Sequence, residues 1–174
     1  MSMAAAALRL ENVLYQRRES IDYITVNRPK VLNALNHLTF ADLRAAFEAA
    51  RDDAAVRGVI LAGAGNKAFI AGADINELAT VTAVEAERSS NVGREVLNLV
   101  ENLGKPVIAA INGFALGRGC EMAMASTIRG ASEATQFGQP RSQTGTGFRR
   151  RMNSAVAVAR RKGAELCRSF SRGR

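Results

Sequence analysis

The chain has 174 residues with 24 Lys or Arg against 16 Asp or Glu, a net charge of +8 and a pI near 10.5. Such a charge ordinarily points to a nucleic-acid or membrane partner, but it is not spread evenly. Residues 1–140 hold 14 basic against 15 acidic side chains, whereas residues 141–174 hold 10 against Glu165 alone, so a nucleic-acid-binding charge balance is excluded for the first part.

The length suits one domain that buries roughly two-thirds of its unfolded surface, with an appendage. Cys120 and Cys167 have no metal-ligand spacing, and Met1 to Leu8 is mostly alanine without a basic run, so no signal peptide is expected. The expectation is a reduced, cytoplasmic protein. No apolar stretch reaches the roughly 20 residues of a membrane span.

Val13-Leu14-Tyr15 and the alternating Ile21-Asp22-Tyr23-Ile24-Thr25-Val26 predict two antiparallel strands joined at Arg18-Glu19-Ser20. Arg28-Pro29 ends the second, and a loop through Asn33-Ala34-Leu35-Asn36 leads to Thr39, read as an N-cap with Asp42 three positions on. Phe40, Leu43, Phe47 and Ala50 give the following helix an apolar face. His37 reads as a residue leading into that helix. Val59-Ile60-Leu61-Ala62 has the pattern of a strand buried on both faces. A loop from Gly63 to Asp74 follows, and then a helix from about Thr82 to Asn102 with Val92, Val96, Leu99, Val100 and Leu103 on one side. Val107 to Ile111 is a further buried strand, which runs through Asn112 to Gly119 into a helix Cys120 to Ala125. Thr127 to Ala131 predicts one more strand. Strand, glycine-bearing turn and helix in repetition imply an α/β fold with a mainly parallel sheet and ligand groups at strand ends.

Two turns carry the chemistry. Ala71-Gly72-Ala73-Asp74-Ile75 and Gly117-Arg118-Gly119-Cys120-Glu121 each bring backbone N–H groups to a helix start, where negative charge is favoured. Facing one another, they could hold a carbonyl oxygen that becomes an oxyanion. Glu121, in the first turn of the second helix, could transfer protons there. Taken singly, a glycine turn is ordinary loop geometry and a first-turn glutamate an ordinary complement to the helix dipole. Gly63-Ala64-Gly65-Asn66-Lys67 lacks the spacing of a phosphate loop.

Combination and order say more. Asn27-Arg28-Pro29-Lys30 with Asn33-Ala34-Leu35, Lys67 to Ile75, Lys105 to Ala109, Asn112 to Gly117, Cys120-Glu121 and Phe137-Gly138-Gln139-Pro140 together resemble the enoyl-CoA hydratase (crotonase) family over about residues 8–140. The resemblance implies a spiral of ββα units and a lyase of fatty acid β-oxidation that adds water to a trans-2-enoyl-CoA. Its substrate is a coenzyme A thioester, and no separate cofactor and no metal are implied. It places the thioester oxygen on the N–H groups of Ala73 and Arg118, makes Glu121 one of two catalytic glutamates, and puts Lys30, Val31, Ala71, Asp74, Ile75 and Asn76 along the CoA portion. Another acyl-CoA isomerase or hydrolase of the family, or a non-catalytic acyl-CoA-binding module, is the alternative. The family's trimers or hexamers depend on a C-terminal helical region expected to be missing here.

The chain departs from that pattern in two residues. Arg118 stands where the middle glycine of a Gly-Gly-Gly turn is expected, which implies a crowded carbonyl site and, if positive φ is required, strain. Arg141 takes the place of the second glutamate. Losing a proton-transfer group costs roughly 10²–10⁴ in rate, so little hydratase activity is expected.

Residues 1–140 therefore read as a crotonase-like core and residues 141–174 as an aberrant basic tail. Arg141-Ser142-Gln143-Thr144-Gly145-Thr146 can be encoded CGA AGT CAA ACT GGG ACT, which one base on reads Glu-Val-Lys-Leu-Gly, the family's continuation. Asn153 to Arg160 can likewise be encoded so that one base on reads Thr-Gln-Arg-Leu-Pro-Leu-Leu-Val, which is also family-like. The tail is thus expected to be largely out of frame, with more than one lesion because Met152-Asn153 shifted gives a stop. The rival is a tail that binds RNA, DNA or acidic lipid.

Overall fold

The computed structural model describes residues 8–138 and 157–158. A six-stranded sheet lies beside a three-stranded one. In the larger sheet β1 (Val13–Arg18) and β2 (Ile21–Val26) form the expected antiparallel hairpin. From β2 onward the pairing is parallel, through β3 (Gly58–Gly63), β5 (Val107–Ile111), β7 (Ile128–Ala131) and the two-residue β9 (Ala157–Val158).

The smaller sheet corrects the expected loops. The stretch from Gly63 to Asp74 contains β4 (Ala68–Ile70), the turn after Asn112 contains β6 (Phe114–Leu116), and β8 (Gln136–Gly138) pairs with β6. Three-residue strands show no usable alternation, and β4 is buried at every position, so periodicity could not find them. Each contributes one rung of a second parallel layer.

Helix α1 (His37–Asp52) is capped by Asn36, whose side chain accepts from the N–H of Thr39 at 2.9 Å. The expected Thr39 cap is thus displaced by three residues. Thr39 is fully buried, and its hydroxyl donates to the same Asn36 oxygen at 2.6 Å. Asp42, read as a partner for that cap, instead accepts the backbone N–H groups of Glu11 and Asn12 at 3.0 and 2.7 Å.

The short α2 (Ile75–Leu78) precedes α3 (Ala83–Glu101), which begins with a capping box between Thr82 and Glu85, close to its expected limits. Val96, Val100 and Leu103 are buried in the main core, with Val92 and Leu99 packed against it. Helices α1 and α3 pack together over the sheet, and Phe40, Leu43, Phe47, Ile24, Leu61 and Ile111 share their core.

Helix α4 (Arg118–Ala125) starts two residues before the expected Cys120, so Arg118 is its first residue and Gly117 its cap. Arg129 closes its other end, where Nη1 donates to the carbonyls of Ala123 and Ser126 at 3.2 and 2.7 Å.

Candidate functional site

The first turn is held by the segment before α1. Leu35 forms an isolated parallel bridge with Ala73, the Leu35 N–H donating to the Gly72 carbonyl at 2.8 Å and the Asp74 N–H to the Leu35 carbonyl at 2.9 Å. Ala71 N–H donates to Leu32 at 3.1 Å. The N–H of Ala73 finds no acceptor among the described residues, an open donor in a braced turn.

Two side chains complete the brace. Asn33, buried and at φ 58°, accepts the Arg28 N–H at 3.0 Å and donates to the carbonyls of Ala64 and Ala68, both at 2.9 Å. Its αL conformation is one asparagine tolerates. The Arg28 guanidinium spans the two segments, with Nη1 donating to the Ala34 carbonyl at 2.6 Å and Nη2 pairing with Asp74 at 2.8 Å. Asp74 is 8% exposed and uses its other oxygen to cap α2 through the Asn76 N–H at 3.1 Å. Asp74 is expected along the CoA portion and Arg28 only at the end of the second strand, so the ion pair between them lies outside those expectations. No local pattern signals the brace, because its two charges lie far apart along the chain and meet only in the fold.

The second turn lies against the first. Gly72 and Gly117 have φ of 113° and 49°, a region that favours glycine. A Cβ added to Gly117 would lie 4.0 Å from the Gly72 Cα, and one added to Gly72 would lie 3.5 Å from the Leu116 carbonyl oxygen. The two turns are therefore in contact, as the oxyanion reading requires. Gly117 itself donates to the Gly138 carbonyl at 2.8 Å. Arg118 lies in the first turn of α4, where N–H groups have no intrahelical acceptor.

Strain at Arg118 is not observed. The positive φ falls on Gly117, and Arg118 takes helical geometry. Its side chain runs toward α3 and α1, with Nη2 3.2 Å from the Ser90 hydroxyl and the guanidinium carbon 5.9 Å from the centre of the Phe40 ring. Nη1 is 3.6 Å from Glu121 Oε2. Glu121 is one turn into α4, its side chain 22% exposed, where it can reach a ligand. Cys120 beside it is buried, with its sulfur 2.7 Å from the Ala115 carbonyl oxygen, and burial pushes its thiol up.

The structure thus gathers Ala71, Ala73, Asp74, Arg118 and Glu121 around the paired turns. Ile75 and Asn76 are exposed at the start of α2, and Lys30 and Val31 are exposed on the 3₁₀ turn before Leu32. His37 is exposed, its N–H donating to the Glu77 carboxylate at 3.0 Å. Arg141 lies outside the described residues.

A family profile described as Enoyl-CoA hydratase/isomerase matches residues 16–167. The chain belongs to the enoyl-CoA hydratase/isomerase family. The crotonyl-CoA hydratase of Syntrophomonas wolfei is 45% identical over 130 residues, 75% of this chain and 50% of that protein. The short-chain-enoyl-CoA hydratase of Clostridium acetobutylicum is 45% identical over 133 residues, 76% and 51% of the two chains. A solved enoyl-CoA hydratase from Bacillus anthracis superposes with a TM-score of 0.73 at 35% identity, over 74% of this chain and 50% of that one. The fold expected from the motifs is therefore the fold observed, and the chain spans about half the length of the curated relatives it matches. No helix among the described residues is long and apolar enough to cross a membrane.

Proposed function

We propose that this chain binds a coenzyme A thioester with its carbonyl oxygen on the N–H groups of Ala73 and Arg118. In this reading Glu121 is the acid/base in hydration of a trans-2-enoyl-CoA to the 3-hydroxyacyl-CoA, a lyase step of fatty acid β-oxidation. The contact between the Gly72 and Gly117 turns, with Glu121 one helical turn away, carries the reading. Hydrogen bonds at the paired turns strengthen as the carbonyl becomes an enolate, which lowers the barrier because they favour the transition state over the ground state. Asp74, Ile75, Asn76, Lys30, Val31 and Ala71 border the CoA portion.

Coenzyme A enters as part of the substrate, and the reaction uses no other cofactor and no metal. A cytoplasmic location completes the proposal. Turnover is slow, because Arg141 stands where a second proton-transfer group belongs.

Calorimetric titration with crotonyl-CoA beside a hydration assay tests this. Binding with turnover at least tenfold below a typical kcat of about 10 s⁻¹ is expected. Ordinary turnover would overturn the impairment, and a thioester that binds no better than free CoA would overturn the site.

A further inference from the structure

Gly93 lies in the middle of α3, where glycine weakens a helix by about 0.5–1 kcal/mol relative to alanine. A Cβ at that position would stand 2.8 Å from Nη1 of Arg118 and 3.3 Å from Cζ of Phe40. The absent methyl is the space in which the guanidinium rests. Its seat has a floor in the Phe40 ring and a wall in the Ser90 hydroxyl, and it leaves the Arg118 side chain 23% exposed.

A guanidinium has five N–H donors in a planar fork that matches a carboxylate. Among the described residues only one hydrogen bond uses them, from Nη2 to Ser90 at 3.2 Å. Glu121 neutralises the charge at 3.6 Å without closing a hydrogen bond. The cation is thus partly desolvated, held in place, and short of acceptors. That state favours a further anionic partner, since a charge taken from water needs its donors satisfied.

We propose that the Arg118 guanidinium receives a carboxylate at the far end of the acyl chain. The site then takes coenzyme A thioesters of short dicarboxylic acids in preference to those of plain fatty acids of equal length. The inference rests on the function proposed above, because the backbone N–H of the same residue holds the thioester oxygen. The approach of its Nη1 to Glu121 Oε2, at 3.6 Å, keeps the guanidinium beside the proposed acid/base and so within reach of a short acyl chain.

The full chain is titrated calorimetrically with glutaryl-CoA, pentanoyl-CoA and free CoA. The first two differ only in the terminal carboxylate, and a ratio of at least about tenfold in favour of glutaryl-CoA is expected for a charge-assisted pair. Arg118→Gly keeps the backbone N–H and removes the fork, and should abolish the ratio. Gly93→Ala keeps both N–H and charge while filling the seat, and should reduce it likewise; the arginine end can swing away, so this variant should fold, which circular dichroism checks. Equal affinities in the unaltered chain, or an unchanged ratio in a folded variant, would overturn the inference. Failure of both thioesters to bind more tightly than free CoA is a different result, and removes the proposed function with it.

Discussion

Arg28 and Asp74 are joined at 2.8 Å across the two segments that shape the first turn, with the other arm of Arg28 on the Ala34 carbonyl. The pair is mostly buried, its side chains 17% and 10% exposed. It fixes the distance between the Leu32–Leu35 backbone and the turn that presents the Ala73 N–H.

Arg28→Gln should therefore do two things. It leaves the Asp74 carboxylate without its cation, which should cost about 2 kcal/mol in urea unfolding. It should also loosen the turn, so that a conjugated aryl-enoyl-CoA shows a smaller red shift than with the unaltered chain, because its carbonyl is less polarised. Arg28→Lys restores the charge but not the fork, and should recover part of the stability with little of the spectral shift. An unaltered spectrum in Arg28→Gln would show that the turn holds its shape without the pair.

Gly119 tests the contact between β4 and α4. A Cβ there would lie 2.0 Å from the Ile70 carbonyl oxygen and 2.9 Å from its carbon, and both obstacles are backbone. Neither can rotate away, so Gly119→Ala should cost more than about 3 kcal/mol or abolish folding. Gly104→Ala is the comparison: nothing lies within 4 Å of that Cβ, and only its φ of 75° resists. Its cost should be about 1 kcal/mol. Equal urea midpoints for the two variants would contradict the close approach.

Strands β1, β2, β3, β5 and β7 and helices α1 and α3 are readable because their residues obey one period at a time, whereas β9, inside the segment expected to be an aberrant tail, is not. Ile24 and Val26 alternate with polar neighbours, and Val96, Val100 and Leu103 fall on one helical stripe. The smaller sheet is not readable either, since β4, β6 and β8 have three residues each and are defined by partners far along the chain. The paired turns and Glu121 stand out only through the order of the motifs and the resemblance they carry, since a glycine turn or a first-turn glutamate is ordinary by itself. The Arg28–Asp74 brace and the Gly93 seat do not stand out, because each joins residues tens of positions apart. Arg118 shows the same limit in reverse: strain was expected from residue type, yet the left-handed conformation is carried by Gly117, one position earlier.

The basic segment makes a prediction at the level of codons. If residues 141–174 are largely out of frame, codons 141–145 read one base on should give Glu-Val-Lys-Leu-Gly, and a second lesion should lie near Met152-Asn153. Sequencing the gene across codons 138–160 checks this. Codons for Arg141 to Thr146 that cannot yield that string would exclude it. The family match extends to residue 167 and so includes most of the segment; the codons, not the match, decide the frame.

The edge of the larger sheet carries a pH signature. Tyr15 donates to the fully buried Asp22, which also receives Arg17 Nε at 2.7 Å, while Arg17 Nη1 reaches Asp53 at 2.7 Å. Burial, and then the Asp22 carboxylate, hold the Tyr15 phenol well above its ordinary range. A phenol whose folded value is raised contributes fully below the unfolded value of about 10 and loses that contribution as pH rises further. Stability should therefore fall above pH 10, by up to about 1.4 kcal/mol per pH unit from this group. Tyr15→Phe removes the hydrogen bond to Asp22 and should cost about 1–3 kcal/mol at pH 7. Above pH 10 it has no phenol to ionise at this position, so the gap between the two proteins should narrow from pH 10 to 11 in urea unfolding. A gap that stays constant over that interval would show that Tyr15 ionises as readily in the fold as out of it.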